Sequence, residues 1–398
     1  MSLSADLSKR VGELAAAGLA ESVRIRRHLH RHPELSFAEH ATVRYVADRL
    51  DALGIPHRPV AGTGLVAEIA GSGSGPTVAL RADLDALPIL EKNEVVYASA
   101  VPGVMHACGH DVHTTSLLGT AAILRQLTDL FSGRVRLLFQ PGAGKLPGGA
   151  TLMIRDGALR DPVPTGIFGQ HVHPPLEVGK VGFRPGLYMA STDELYLTIR
   201  GRGGHGAMPQ QATDPIVITA QVISALQQLI SRETDPALPV VLTFGRIESE
   251  GGATNVIPNA VHLQGTLRTM DEDWRRELHR RLDRTATGIA AALGGSAELE
   301  VRHGYPFLRN DERLTERARR AARELLGEER VVDLPLRMTG EDFAFYTHEL
   351  PACFYRLGVR PPGGDPRPVH TDTFDVDENC LETGAGLMAW LALGELGG

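Results

Sequence analysis

The densest chemistry in the sequence lies in one short stretch, MHACGHDVHTT, which carries His106, Cys108, His110, Asp111 and His113. Thiolate and imidazole together suit a borderline-soft cation such as zinc, and nickel or cobalt as well. Cys108 and His110, two residues apart where a loop leads into a helix, can both point at one ion. A cysteine close to a helix N-terminus also feels the unpaired backbone N–H groups there, which favour the thiolate. The blander reading is a helix start that happens to be rich in histidine. His113, one turn further on, reads as helix surface rather than as a ligand.

Three other segments offer groups that could join this cluster. LRADLDALPI runs out of an apolar strand into Asp83 and Asp85, and in open α/β sheets ligands and catalytic groups collect at the carboxyl ends of strands. Aspartate is also common in strand-ending turns. GQHVHPP places His171 at the end of another apolar run. The Pro/Gly-rich loop RPPGGDPRPVH ends on His370. Taken singly, each of these histidines is structural more often than functional.

The elements that must position these groups alternate between helix and strand signals, which argues for an α/β fold. The patterns predict helices over 8–31 and 38–53, strands at GLVAEIAG and TVALRADL, and a helix following Asp111. They predict further strands at RVRLLFQP and GIFGQHV. Near residue 186 the character changes. TDELYLTIRG alternates polar and apolar, as a strand with one wet face does. Four strands and two long helices between 186 and 302 fit a small antiparallel sheet covered by helices on one side. The expected organisation is therefore a discontinuous α/β domain, 1–185 and 303–398, with an inserted α+β domain over 186–302. The chain returns through a helix at 311–327, a strand at ACFYRLGV and a helix after Asp377.

Composition narrows the function classes. The chain has 398 residues, long enough for two domains, with 42% hydrophobic and 22% charged residues. Its 41 Lys and Arg against 48 Asp and Glu leave a net charge of −7 with no basic stripe, so nucleic acid is not an expected partner. No apolar run reaches the roughly 20 residues that span a bilayer, so neither is a membrane. The N-terminal stretch lacks the uninterrupted apolar segment of a signal peptide. The three cysteines, at 108, 353 and 380, imply no disulfide framework. These features together predict a cytoplasmic protein.

The segments HACGHD, LRADLDALPI, FGQHVHP and PVHTDTFDVDE, together with RRHLHRHPELSFAE, GRGGHGAMPQQATDPI, GGATNVIPNAVHLQGTLRTMDE and TGEDFAFY, resemble the amidohydrolase metallopeptidases that include hippurate hydrolases, bacterial aminoacylases and plant auxin-conjugate hydrolases. The resemblance runs over nearly the whole chain. It implies a zinc-exopeptidase-like α/β catalytic domain with a ferredoxin-like inserted lid, and hydrolysis of the amide bond of an N-acyl amino acid. It implies two divalent ions, zinc or manganese, with Cys108 as bridging thiolate and His110, His171 and His370 as imidazole ligands. Asp83 becomes the carboxylate that orients the site, and His205 the residue that polarises the substrate carbonyl. Asn255 and Arg268 become groups that hold the substrate carboxylate, although Asn255 could instead only cap a turn and Arg268 only pair with Asp271. The sheet edge of the inserted domain is a candidate homodimer surface.

The match breaks at one place. After FQP the family carries two adjacent glutamates, the first a general base and the second a metal ligand. Here the sequence reads FQPGAGKLPGGA, so Ala143 and Gly144 stand in those positions. Neither side chain can move a proton or bind a cation. One thiolate and three imidazoles still satisfy a single tetrahedral zinc, so one ion rather than two is expected, with poor turnover. Glu341 and Asp342 in GEDFAFY are weaker candidates for the base. The alternative is an inactive member, natural or engineered, that binds ligand or metal without turnover.

Overall fold

The computed structural model describes residues 5–397. They form two compact units. The first runs to Gly186 and resumes over Arg309–Pro335 and from Asp342 onward, and the second comprises Leu187–Leu308 and Leu336–Glu341. The return of 336–341 to the second unit was not part of the sequence reading.

The first unit is built on an eight-stranded mixed sheet. Its spatial order is His57–Val60, Gly64–Ala70, Arg134–Gln140, Thr77–Asp83, Gly166–Glu177, Ala352–Arg360, Val181–Phe183, Val331–Asp333. The four strands at its centre run parallel to one another. Parallel strands are covered on both faces and so read as continuous apolar runs, and Thr77–Asp83 is buried at every position. The outer strands His57–Val60, Val181–Phe183 and Val331–Asp333 escaped the sequence reading because each is too short to show a period.

The helices His110–Arg125, Glu312–Leu326 and Cys380–Leu396 pack on this sheet, and Ala5–Arg31 packs against those three helices. Glu312–Leu326 is amphipathic, burying Leu314, Ala318 and Ala322 at four-residue spacing, and Asp311 caps it by accepting from the Leu314 N–H at 2.7 Å. Cys380–Leu396 keeps its polar residues, Glu382, Thr383 and Glu395, near its two ends. Its GLMAWLAL run is buried throughout, as expected of a helix enclosed by others. Trp390 and Leu387 join Leu117, Leu124 and Leu137 in one core.

The second unit has an antiparallel sheet in the order Val240–Ser249, Ala260–Thr269, Asp193–Arg200, Ser296–His303. Alternate residues of Asp193–Arg200 are buried, and Leu195, Leu197 and Ile199 share a core with Ile218 and Val222 of the helix Pro215–Gln228 and Leu278 and Leu282 of Glu272–Ala292. Asp214 and Asp271 cap those two helices through the Ile216 and Trp274 N–H groups.

A buried ion pair anchors the start of this sheet. Asp193 is 1% exposed and accepts from Arg275 Nε at 2.9 Å and Nη2 at 2.6 Å, from His279, and from the Gly304 N–H. Burial opposes its charge, but the bonds from Arg275 and His279 outweigh burial and hold the carboxyl well below the usual range. A depressed carboxylate adds stability that is complete above its unfolded value and is lost as the pH falls towards its folded one. Asp193→Asn is expected to destabilise the protein by about 3 kcal/mol at neutral pH. Urea melts should show that deficit shrinking below about pH 4; an equal deficit at pH 7 and pH 3 would contradict this account.

Candidate metal centre

All four sequence-nominated metal ligands lie in the first unit. Cys108 and His110 sit where the helix His110–Arg125 begins. Gly109 between them takes a left-handed φ of 81°, and a Cβ there would meet Val172 at 2.6 Å. Only glycine therefore makes the turn that sends both side chains the same way. His171 stands on the central strand Gly166–Glu177. His370 comes from a loop and is itself left-handed, with φ 64°, and its N–H donates to the Ala107 carbonyl at 2.7 Å. A non-glycine residue in that region costs energy and is held by its surroundings.

These groups converge. Cys108 Sγ lies 3.4 Å from His171 Nε2 and 3.3 Å from His370 Nε2. Cys108, His110 and His171 offer ligand atoms that all lie within 4.8 Å of one another. Around a tetrahedral zinc, with sulfur at about 2.3 Å and nitrogen at about 2.0 Å, neighbouring ligand atoms stand roughly 3.5 Å apart. The donor set and its spacing thus fit such an ion.

Hydrogen bonds decide which ring nitrogen each imidazole presents. His171 Nδ1 donates to the Val172 carbonyl at 2.9 Å, leaving Nε2 towards Cys108. His110 Nδ1 donates to Asp85 Oδ1 at 3.0 Å, which turns Nε2 towards Cys108 and Asp83. Outer partners of this kind fix a ligand's tautomer and orientation. Burial would push the Cys108 thiol up, but His110 beside it, and bonds from His110 and His370, hold it below its ordinary value. Burial drives His171 well below the usual imidazole range, with Arg356 adding to the effect. It therefore stays neutral, the form that coordinates a metal.

The sequence reading gave an orienting role to Asp83, and each of the two carboxylates beneath the cluster holds an imidazole. Asp85 is the one that holds His110 Nδ1. Its two oxygens also accept from Ser36 Oγ at 2.6 Å and from the Ala143 and Gly144 N–H groups at 3.1 and 3.0 Å. Asp83 binds Arg81 at 2.7 Å and His113 Nδ1 at 2.6 Å, and stands 3.7 Å from His110 Nε2. His113 is not helix surface. It is wholly buried, and its Nε2 accepts the Val172 N–H at 2.9 Å, so it links Asp83 to the residue after His171. The clue was its spacing, since a residue three beyond His110 shares that helix face.

Asp342 is also committed. It accepts from Arg81 at 2.6 Å, from Gln140 Nε2 at 2.6 Å and from the Ala150 N–H at 3.2 Å. A carboxylate so engaged is a structural anchor, not a free base. Arg81, buried between Asp83 and Asp342, ties the ends of two neighbouring strands through Gln140 as well.

The remaining nominated residues belong to the second unit. His205 pairs with Val256 in a two-residue ribbon, beside Asn255, whose carbonyl accepts the Gly206 N–H at 2.7 Å. His205 is exposed, and its Nδ1 accepts from the Ala207 N–H at 3.1 Å, so its Nε2 carries the proton. Arg268 lies on the strand Ala260–Thr269 opposite Val241. Burial lowers its pKa. Asp271, the partner considered for Arg268, spends its carboxylate on the Trp274 N–H.

Comparison with known proteins fixes the affiliation. Residues 79–393 match the model of peptidase family M20/M25/M40. The chain belongs to that family. By this membership it is a hydrolase. It is 42% identical to the N-acetyl-L-cysteine deacetylase of Bacillus subtilis (strain 168), over 90% of this chain and 84% of that one. It is 46% identical to the N-acyl-L-amino acid amidohydrolase of Geobacillus stearothermophilus, over 72% and 77%. Among solved structures, the Bacillus subtilis YXEP protein, described as a dinuclear metal binding peptidase from the M20 family, superposes with a TM-score of 0.83 at 35% identity. That match covers 96% of this chain and 99% of the other. The M20 fold, with its large parallel-rich sheet, is the one described above.

Removing Arg81 tests the foundation of this M20 site. Arg81→Leu leaves Asp83 and Asp342 buried without their cation, and should cost about 3–5 kcal/mol in urea unfolding at neutral pH. A loss under about 1 kcal/mol, the scale of an exposed pair, would show that these strand ends do not depend on it.

Proposed function

We propose that the chain is a metal-dependent amidohydrolase of small N-acyl amino acids, hippurate among them, working in the cytoplasm with one divalent ion, and that its turnover is impaired. The observation that carries the metal reading is the approach of His171 and His370 to Cys108 Sγ at 3.4 and 3.3 Å. In this proposal Cys108, His110, His171 and His370 hold zinc or manganese. When bound, the ion supplies a Lewis acid for the amide carbonyl and acidifies a water.

The chain's own residues fill the other roles. Asp85 and the Val172 carbonyl keep the imidazoles aimed. His205 Nε2–H is the proposed donor to the carbonyl oxygen, where developing negative charge would be stabilised. Arg268 offers a guanidinium fork suited to the substrate carboxylate, with Asn255 assisting. A dimer through the sheet edge of the second unit is part of the same proposal.

In this reading the position of the family's general base is without a proton carrier. At 143 and 144 the loop contributes backbone N–H groups alone, both given to Asp85. Asp83, Asp85 and Asp342 are each held by several donors. That arrangement favours a second reading, a member that binds its ligand and releases it unchanged.

At both positions the backbone accepts a Cβ. Ala143 already carries a Cβ. A Cβ on Gly144 would meet Asp85 Oδ2 at 3.4 Å and Leu87 at 3.7 Å, which is ordinary contact. With glutamates placed at 143 and 144, hippurate hydrolysis is expected to rise by about 10²–10⁴-fold, the usual contribution of a general base. Metal content per chain, measured by mass spectrometry, is expected to rise from one ion towards two. No gain in rate after restoration would refute the impairment account.

A further inference from the structure

The segment RIRRHLH, at the end of the first helix, lies before the stretch that matches the family model, which starts at residue 79. Yet it touches two of the segments that carry the candidate ligands. Arg26 is completely buried. Its Nε donates to Asp111 Oδ2 at 2.8 Å, its Nη2 to Asp375 at 2.9 Å and its Nη1 to Glu378 at 3.3 Å. Asp111 directly follows His110, and Asp375 and Glu378 follow His370 on the same loop. One guanidinium therefore clamps two ligand-bearing segments to a third element.

The clamp has a second jaw. His30, one helical turn after Arg26, meets the same Asp111 oxygen through Nδ1 at 2.8 Å and Glu91 through Nε2 at 3.1 Å. Tyr97 covers the guanidinium, with its ring centroid 4.8 Å from the Arg26 carbon, and donates its hydroxyl to Asp375 at 2.9 Å. A planar fork with five donors spans three carboxylates in this way; a lysine ammonium, a single point charge, does not.

We infer that Arg26 is a positioning residue for the metal centre: it sets the register of His110 and His370 about Cys108, through Asp111 on one side and Asp375 and Glu378 on the other. The inference rests on the metal reading given above. It differs from a purely structural role because the strain at His370, with φ 64°, must be held by that loop's anchors if the ring is to face Cys108.

The test is titration of the whole chain with cobalt(II), following the charge-transfer band that only a cobalt–thiolate bond gives. Arg26→Gln is expected to weaken cobalt binding by about 10–100-fold, the usual effect of losing an outer-sphere support, and to change the band per folded molecule. Arg26→Lys should fall between this variant and the parent. Should Arg26→Gln fail to fold, Asp375→Asn removes one carboxylate at the edge of the clamp and should still weaken binding several-fold. Variants that melt earlier but bind cobalt with the parent's affinity and spectrum would overturn the inference while leaving the metal reading intact. A parent chain that takes up no cobalt would overturn both.

Discussion

The metal centre depends on carboxylates that have no water to fall back on. Asp83 and Asp85 leave the end of one central strand with 0% and 1% of their surface exposed. A buried charge is tolerated only when paired and hydrogen-bonded, so each must find donors nearby. The donors are the residues that matter. Asp85 takes His110 and the backbone of 143 and 144, and Asp83 takes Arg81 and His113. Satisfying two anions thus fixes two imidazoles, one helix start and one loop. Geometry useful for a cation follows from a desolvation requirement.

Much of this was legible in the residues. Cys108 and His110 could be nominated as a pair because thiolate and imidazole are metal donors two residues apart, whereas His171 and His370 entered the set only through the family resemblance. The central strands could be read because burial on both faces leaves an unbroken apolar run, as in TVALRAD. The division between Asp83 and Asp85 could not be read, since two carboxylates one residue apart in an extended strand differ only in which neighbours the fold supplies. His113 was misjudged for a related reason. Whether a helix face is wet or dry depends on what packs against it, and here the strand carrying His171 does.

Some roles were hidden by distance along the chain. Nothing local to RRHLHRHPEL indicates that Arg26 answers to Asp375. Asp342, following Glu341 in a loop, looked like a spare carboxylate, and only the fold reveals that Arg81, Gln140 and the Ala150 N–H already occupy it. The gap at Ala143 and Gly144 was visible at once, because there the sequence departs from a pattern. What the fold adds is that the loop keeps its shape without those side chains, since its N–H groups have Glu39 and Asp85 to bind.

The order of strands in the first unit has a bearing on how the molecule is made. Ala352–Arg360 lies beside Gly166–Glu177 at the middle of the sheet, and Cys380–Leu396, with its buried apolar middle, closes the core against the first helix. A ribosome delivers the start of this unit long before its centre strand exists. The first half must wait with a sheet face unsatisfied while the nearly contiguous second unit emerges and closes on its own local pairings. Such long-range pairing is slow and exposes apolar surface meanwhile. A nascent chain arrested before Ala352 would therefore carry one finished unit and one sticky half, and demand for chaperones should peak during that interval of synthesis.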